Sequence, residues 1–209
     1  MSLMLSNKII LYGASGHAKV ISSIIEAMNM FVDIIFDDNE KITYLNQYRV
    51  VTGYEKNYNP NIPIIISIGD NKIRKKISEK ISHPFTILIH PSSIIDKNAK
   101  IENGSVVFHN AIVQRDSIVG KHCIINTNAS IDHDCIIEDF VHLSPSATLC
   151  GNVKVGEGTH IGAGATIIPN IKVGKWCIIG AGAVVTKDVP DYSLVVGVPG
   201  KIIKKFKND

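Results

Sequence analysis

From Ile95 to Val185 an aliphatic residue returns every six positions without an insertion: Ile95, Ile101, Val107, Val113 and onward through sixteen such sites. A helix would repeat at three and four, and an alternating strand at two. A period of six fits short strands with a turn after each, wound as a parallel β-helix. In the left-handed form three hexapeptides make one triangular coil. Residues 18 apart then stack about 4.8 Å apart along the axis. Sixteen hexapeptides give a little over five coils.

Four residues after each aliphatic sits a mostly small residue, as in Ala99, Ser105, Ala111, Ser117, Cys123, Ala129 and Cys135. The aliphatic fills the interior, and the small residue fits the crowded wall. Cys123, Cys135 and Cys177 share that inward slot, where cysteine acts as a compact hydrophobe and not as an exposed nucleophile. Cys150 lies outside it. With four cysteines and no CxxC pair, a disulfide or zinc framework is not expected.

The 88 residues before the coil have a different rhythm. KIILYG (8–13) reads as a buried strand, followed by a helical segment to Met30. Further strands are expected at Val32–Phe36, Ile64–Ile68 and Thr86–Ile89, with a basic helix over Lys72–Ile81. Alternating strands and helices argue a small Rossmann-like parallel α/β domain over 1–88, with the β-helix over 89–209.

In such a sheet, ligands bind beyond the carboxyl ends of the strands. Gly13-Ala14-Ser15-Gly16 stands there, between a strand and a helix N-terminus that favours phosphate. Asp37-Asp38 and Ile68-Gly69 end the neighbouring strands. Together they point to a nucleotide or nucleotide-linked ligand. A redox dinucleotide fits less well: GASGHA lacks the full GxGxxG fingerprint, and the sheet is short for two mononucleotide halves.

The 209-residue chain is 20% charged and 45% hydrophobic, enough for a sizeable core. A net charge of +3 does not argue for nucleic acid. No apolar run reaches the roughly 18 residues of a membrane span, and no signal-peptide layout opens the sequence. A cytoplasmic protein is expected.

Five histidines fall on the repeat: His109, His122, His133, His142 and His160. His142 and His160 are 18 apart and should stack, a spacing compatible with shared zinc ligation as in a gamma carbonic anhydrase. No third ligand is evident, so no metal is expected. His133, between inward Ile131 and Cys135, can reach the surface with Asp132 and Asp134 beside it. A carboxylate on one ring nitrogen makes the other a better base near neutrality. An ordinary exposed histidine between solvated aspartates fits the residues equally well.

Taken together, YGASGHAK, Asp37-Asp38, SIGDNKIRKKI, HPSS, IDHDC and GVPGK resemble the hexapeptide-repeat acyltransferases. More narrowly they resemble bacterial UDP-4-amino-sugar N-acetyltransferases and the related sialic acid O-acetyltransferases. The resemblance implies that Ser15, Gly16, His17, Asp37, Asp38 and Gly69 hold a nucleotide-sugar. It makes His133 the general base and Asp134, where the family often has Glu, the neighbour that raises its basicity. It places His142, Ala163, Ala181 and the tail at Pro199 and Lys201 along acetyl-CoA, in a homotrimer whose active sites lie between subunits. His160 matches no family position. Gly151, 18 beyond His133, is a candidate backbone donor to the developing oxyanion.

The expected function is therefore acetyl-CoA-dependent N-acetylation of a UDP-linked 4-amino-4,6-dideoxy sugar for surface glycans. O-acetylation of sialic acid or a related sugar is the rival activity, and a non-catalytic nucleotide-sugar scaffold the rival class.

Overall fold

The computed structural model describes residues 7–207. β1 (Lys8–Tyr12) is apolar and buried from Ile9 onward, as a strand covered on both faces must be. It sits between β2 (Phe31–Asp37) and β5 (Ile64–Ile66), and both pair with it in parallel. α1 (Gly16–Ala27) connects β1 to β2 and buries Ala18, Ile21, Ile24 and Ile25, the spacing of one helical face. Asn29, in the left-handed region at φ 56°, turns the chain out of the helix. α2 (Asn71–Ser78) follows β5, and the Asp70 side chain caps it by accepting from Ile73 N–H at 2.8 Å.

Two features depart from the expectation. β3 (Tyr44–Leu45) and β4 (Tyr48–Thr52) form an antiparallel hairpin, and β4 extends the sheet beside β2 in parallel. The sheet is thus mixed, in the order β3-β4-β2-β1-β5. The segment expected as a last α/β strand, Thr86–Ile89, instead supplies Leu88–Ile89 to the coil, paired with Val106–Val107. Ile89 lies six before Ile95 and packs on the coil's interior, so the register starts one hexapeptide earlier than the unbroken series suggests.

From there the chain winds as a parallel β-helix with three walls. The first wall begins with Leu88–Ile89 and has eight strands. The second begins with Ile94–Ile95 and has six, and the third begins with Lys100–Ile101 and has five. From Leu88 to Val185 the pairings join residues 18 apart, such as His142 with His160 and Ile131 with Leu149; beyond it Ile178 pairs with Leu194, 16 apart, and Lys201–Lys205 runs antiparallel. The periodic aliphatics make one continuous core.

Most walls turn through a left-handed residue three positions after the aliphatic. Asn110, Asp116, Asn128, Asp134, Asn152 and Asn170 occupy such sites at φ 55–65°. Asn and Asp tolerate this region better than other side-chain-bearing residues. The inward slot also does more than fit: Ser117 Oγ donates to Asp132 O at 2.6 Å and accepts from Cys135 N–H at 3.0 Å. Cys123, Cys135 and Cys177 occupy equivalent slots and are buried.

The α/β unit docks on the lower part of the first wall. Ile21 and Ile25 of α1 share one buried cluster with Val106, Phe108 and Ile124 of the coil. The N-terminal crevice is thereby fixed against the wall that carries His142.

Candidate active site

His133 stands at the corner between the second and third walls, with its side chain 59% exposed. Its Nδ1 lies 2.7 Å from Asp134 Oδ2, and its backbone N–H donates to Asp132 Oδ1 at 2.8 Å. An ionised carboxylate only accepts, so Nδ1 carries the proton and Nε2 has the free lone pair. The hydrogen bond that His133 donates to Asp134, with the charge of Asp132 behind it, holds the pKa of His133 above the ordinary histidine value. Asp134 is the left-handed residue of this corner, at φ 60°, so the turn itself places its carboxylate beside the ring.

Gly151 lies one coil further on, against the imidazole. A β-carbon there would come within 2.7 Å of His133 Cε1 and Nε2. Its carbonyl accepts from Asn170 N–H, while its own N–H has no partner among the described residues.

A second cluster lies on the first wall, where the coil meets the α/β unit. The His17 ring stacks on Phe108 with 5.3 Å between centroids and lies 6.2 Å from His142. His142 Nδ1 is 3.3 Å from the Gly69 carbonyl, and Nε2 is 3.2 Å from Asn126 Nδ2. A carbonyl accepts and an amide nitrogen donates, which makes His142 the Nδ1–H tautomer. Burial, the neighbouring His160 and the Arg74 guanidinium push it down to about 3. Burial and Arg74 likewise push His17 to about 4. Both rings are neutral at physiological pH and can position but not exchange a proton there.

His160 stacks on His142 at 4.7 Å, nearly parallel, and its Nε2 is 2.7 Å from Ser144 Oγ. Stacked this way, the two rings spend their nitrogens on Gly69, Asn126 and Ser144. No three metal-ligating side chains gather anywhere among the described residues. A cavity of about 880 Å³ opens beside this cluster, bounded by Gly69, Asn71, His142, His160, Trp176 and the tail from Lys204 to Lys207.

The nucleotide-type crevice is formed by the ends of β1, β2 and β5. Gly13, at φ 111°, passes so close to β5 that a β-carbon would meet Ile68 Cγ1 at 2.6 Å. Asp37 accepts from Ala14 N–H at 2.6 Å and from Asn39 N–H at 2.8 Å, so it shapes the loop with both oxygens. Asp38 Oδ1 accepts from Tyr12 hydroxyl at 2.6 Å, and Oδ2 has no partner among the described residues. Ser15 and Gly16 are exposed at the start of α1, where Ser15 makes no capping bond with its side chain.

Ala163 and Ala181 are exposed and stacked at the corner between the first and second walls, tied by Gly182 N–H to Ala163 O at 2.8 Å. Pro199 lies in the turn between the strands Ser193–Val196 and Lys201–Lys205, which Gly200 N–H anchors to Val184 O at 2.7 Å. Lys201 opens the final, exposed strand.

The sequence-derived site residues therefore fall in three places, with Ala163, Ala181, Pro199 and Lys201 at the corner between the first and second walls and on the tail. Ser15, Gly16, His17, Asp37, Asp38, Gly69 and His142 gather around the first wall. His133, Asp134 and Gly151 occupy the corner between the other two. Arg74 and Asn71, which join α2 to the coil, and Asn126, which donates to His142 within the coil, are not among the residues read from the sequence. The three-residue spacing of the first two is that of one helical face, but Asn71 lies just outside the helix expected over Lys72–Ile81 and joins it only in α2.

Residues 8–81 match the PglD N-terminal domain family, and residues 134–168 and 152–187 match the bacterial transferase hexapeptide family. The chain is 40% identical to the UDP-N-acetylbacillosamine N-acetyltransferase of Bacillus subtilis (strain 168) over 105 residues, 46% of this chain. That match spans about half (48%) of the relative's length. PerB of Caulobacter crescentus, a perosamine N-acetyltransferase solved with CoA and GDP-perosamine, is 33% identical with a TM-score of 0.89, over 94% of this chain and 97% of that one. The acetyltransferase domain of PglB from Neisseria gonorrhoeae is 35% identical with a TM-score of 0.89, over 94% of this chain and all of the other. With both parts of the fold matched in one order, this chain belongs to the hexapeptide-repeat family of nucleotide-sugar N-acetyltransferases.

Proposed function

We propose that the chain transfers the acetyl group of acetyl-CoA to the amine of a nucleotide-linked sugar, with His133 as general base. The observation that carries this reading is the His133–Asp134 pair at 2.7 Å, set against Gly151 with its unpaired N–H. The free Nε2 of His133 accepts a proton as the neutral sugar amine attacks the thioester carbonyl. Gly151 N–H is the donor for the oxygen that becomes negative. The carbon–nitrogen bond forms, the carbon–sulfur bond breaks, and the proton passes from His133 to the departing CoA thiolate. No cysteine is acylated, in keeping with the burial of Cys123, Cys135 and Cys177.

The nucleotide belongs in the crevice at Ser15, Gly16, His17, Asp37, Asp38 and Gly69. Uridine is the base proposed. Only Asp38 Oδ2 is without a partner among the Asp37-Asp38 oxygens, which suits the single ring N–H of uracil better than the paired donors of guanine. The named Bacillus relative acts on a UDP-sugar, which supports the same choice. The sugar proposed is a 4-amino-4,6-dideoxy-hexose, acetylated for surface glycan synthesis in the cytoplasm. No helix among the described residues is long and apolar enough to cross a membrane.

Acetyl-CoA is assigned to the groove edged by His142, Ala163, Ala181, Pro199 and Lys201. The base and the crevice lie on different sides of one coil, so a second copy must bring His133 to the crevice; a homotrimer does this. The outward positions of the second wall, Ile94, Ile112, Ser130, Thr148, Thr166 and Val184, carry no charge and suit packing between copies.

Release of CoA thiol, compared for a UDP-4-amino-4,6-dideoxy-hexose and free sialic acid, tests the assignment. Rapid release with the amino sugar is expected, falling about 10²–10⁴-fold in His133→Ala while acetyl-CoA binding persists. Release with sialic acid alone would make the protein an O-acetyltransferase.

A further inference from the structure

Arg74 is the largest fully buried side chain, 1% exposed, and among the described residues it makes no salt bridge. All five of its N–H groups are used. Nε donates to His122 O at 2.9 Å, and Nη1 to Ile68 O at 3.0 Å and Gly69 O at 3.2 Å. Nη2 donates to Asn71 Oδ1 at 2.7 Å and Phe140 O at 2.9 Å. Asn71 Nδ2 continues the pattern to Gly158 O at 3.0 Å.

His122, Phe140 and Gly158 are left-handed corner residues stacked 18 apart, at φ 55°, 61° and 68°. Their N–H groups bond within the coil, to Asn103, Lys121 and Asp139, but none of their carbonyls accepts from the coil backbone. Buried carbonyls need donors, and a planar guanidinium with a neighbouring amide supplies them at the spacing of successive coils. The same guanidinium holds the Gly69 carbonyl, the group that His142 Nδ1 faces.

We propose that Arg74, supported by Asn71, is the positioning residue of the reaction: it fixes Gly69 against the coil and thereby sets the tautomer and orientation of His142 between the nucleotide crevice and the thioester. A general interdomain bolt would stabilise the fold without this selectivity. The proposal rests on the nucleotide-sugar reading for its kinetic part alone.

The test uses full-length protein labelled with ¹⁵N-histidine, with the His142 signals assigned from His142→Gln. In the wild type His142 should show a protonated Nδ1 and an unprotonated Nε2. In Arg74→Lys, which keeps the charge and loses the fork, the two tautomers should mix. The KM for the UDP-amino sugar, through Gly69, should rise roughly tenfold, the effect of one lost charged hydrogen bond, and the KM for acetyl-CoA, through His142, should rise with it. If Arg74→Lys does not assemble, Asn71→Ala carries the same comparison. An unchanged His142 spectrum in a folded variant overturns the proposal whatever the activity. So do unchanged KM values for both substrates. If the wild type turns over neither acceptor, the nucleotide-sugar reading fails separately and the spectrum still decides the Arg74–Gly69–His142 link.

Discussion

Gly151 lies directly against the His133 ring, where any β-carbon would lie 2.7 Å from both Cε1 and Nε2. The contact follows from the coil: residues 18 apart stack, and only glycine leaves room for the imidazole of the coil below. In Gly151→Ala the ring must swing away from Asp134 although no ionisable group is removed. Turnover is expected to fall about 10²-fold, the low end of general-base loss, while the acetyl-CoA affinity is kept. Steady-state rates with calorimetric CoA binding measure this, and a rate within threefold of wild type would separate the glycine from the base.

Asp134 supports the positive form of His133 chiefly through its hydrogen bond, with Asp132 adding charge. A base must be unprotonated to act, so the acid limb of the kcat/KM profile should lie above the ordinary histidine value of about 6.5. In Asp134→Asn the limb should move to lower pH and the plateau should fall, because the weaker base ionises earlier and pulls less. Asparagine tolerates the left-handed corner, so the backbone is preserved. A limb that stays in place would show that Asp134 does not tune the base.

Three histidines, His122 buried and His17 and His142 half-buried, make the fold sensitive to acid. Burial is the main cause that pushes His17 and His122 down to about 4 and His142 to about 3. An unfolded chain protonates each near 6.5, so between that pH and the folded values the unfolded state binds more protons. Stability should therefore be full above about pH 6.5 and fall progressively towards pH 4. Urea midpoints at pH 7.5 and 5.0 check the sign. His122→Phe, in a ring already stacked on Phe140 at 5.0 Å, should flatten the slope.

Gly158 and Gly164 have the same left-handed backbone, at φ 68° and 65°, but different surroundings. A β-carbon on Gly158 would meet the Trp176 ring at 2.4 Å, whereas nothing lies near one on Gly164. Alanine at Gly164 should cost about 1–2 kcal/mol from backbone strain alone. Alanine at Gly158 should cost roughly 1–3 kcal/mol more, because the indole must move. Equal melting temperatures for the two variants would contradict this packing.

The six-residue period determined the coil, its inward aliphatics, its small polar slots and the stacking of His142 on His160. Those contacts join positions a fixed 18 apart, so each is written in the chain's own spacing. Most corner residues were open to the same logic, since Asn and Asp recur where the backbone must turn left-handed. His122, Phe140 and Trp176 break that preference, and only their ring stacking against one another and against Gly104 and Gly158 accounts for it. The hairpin Tyr44–Thr52 and the transfer of Leu88–Ile89 to the coil were decided by which sheet edge lay within reach. The largest part that tertiary structure alone decided is the Arg74–Asn71 joint. Its acceptors on the coil are backbone carbonyls, which every residue carries alike, so no residue type marks where a buried guanidinium will find them.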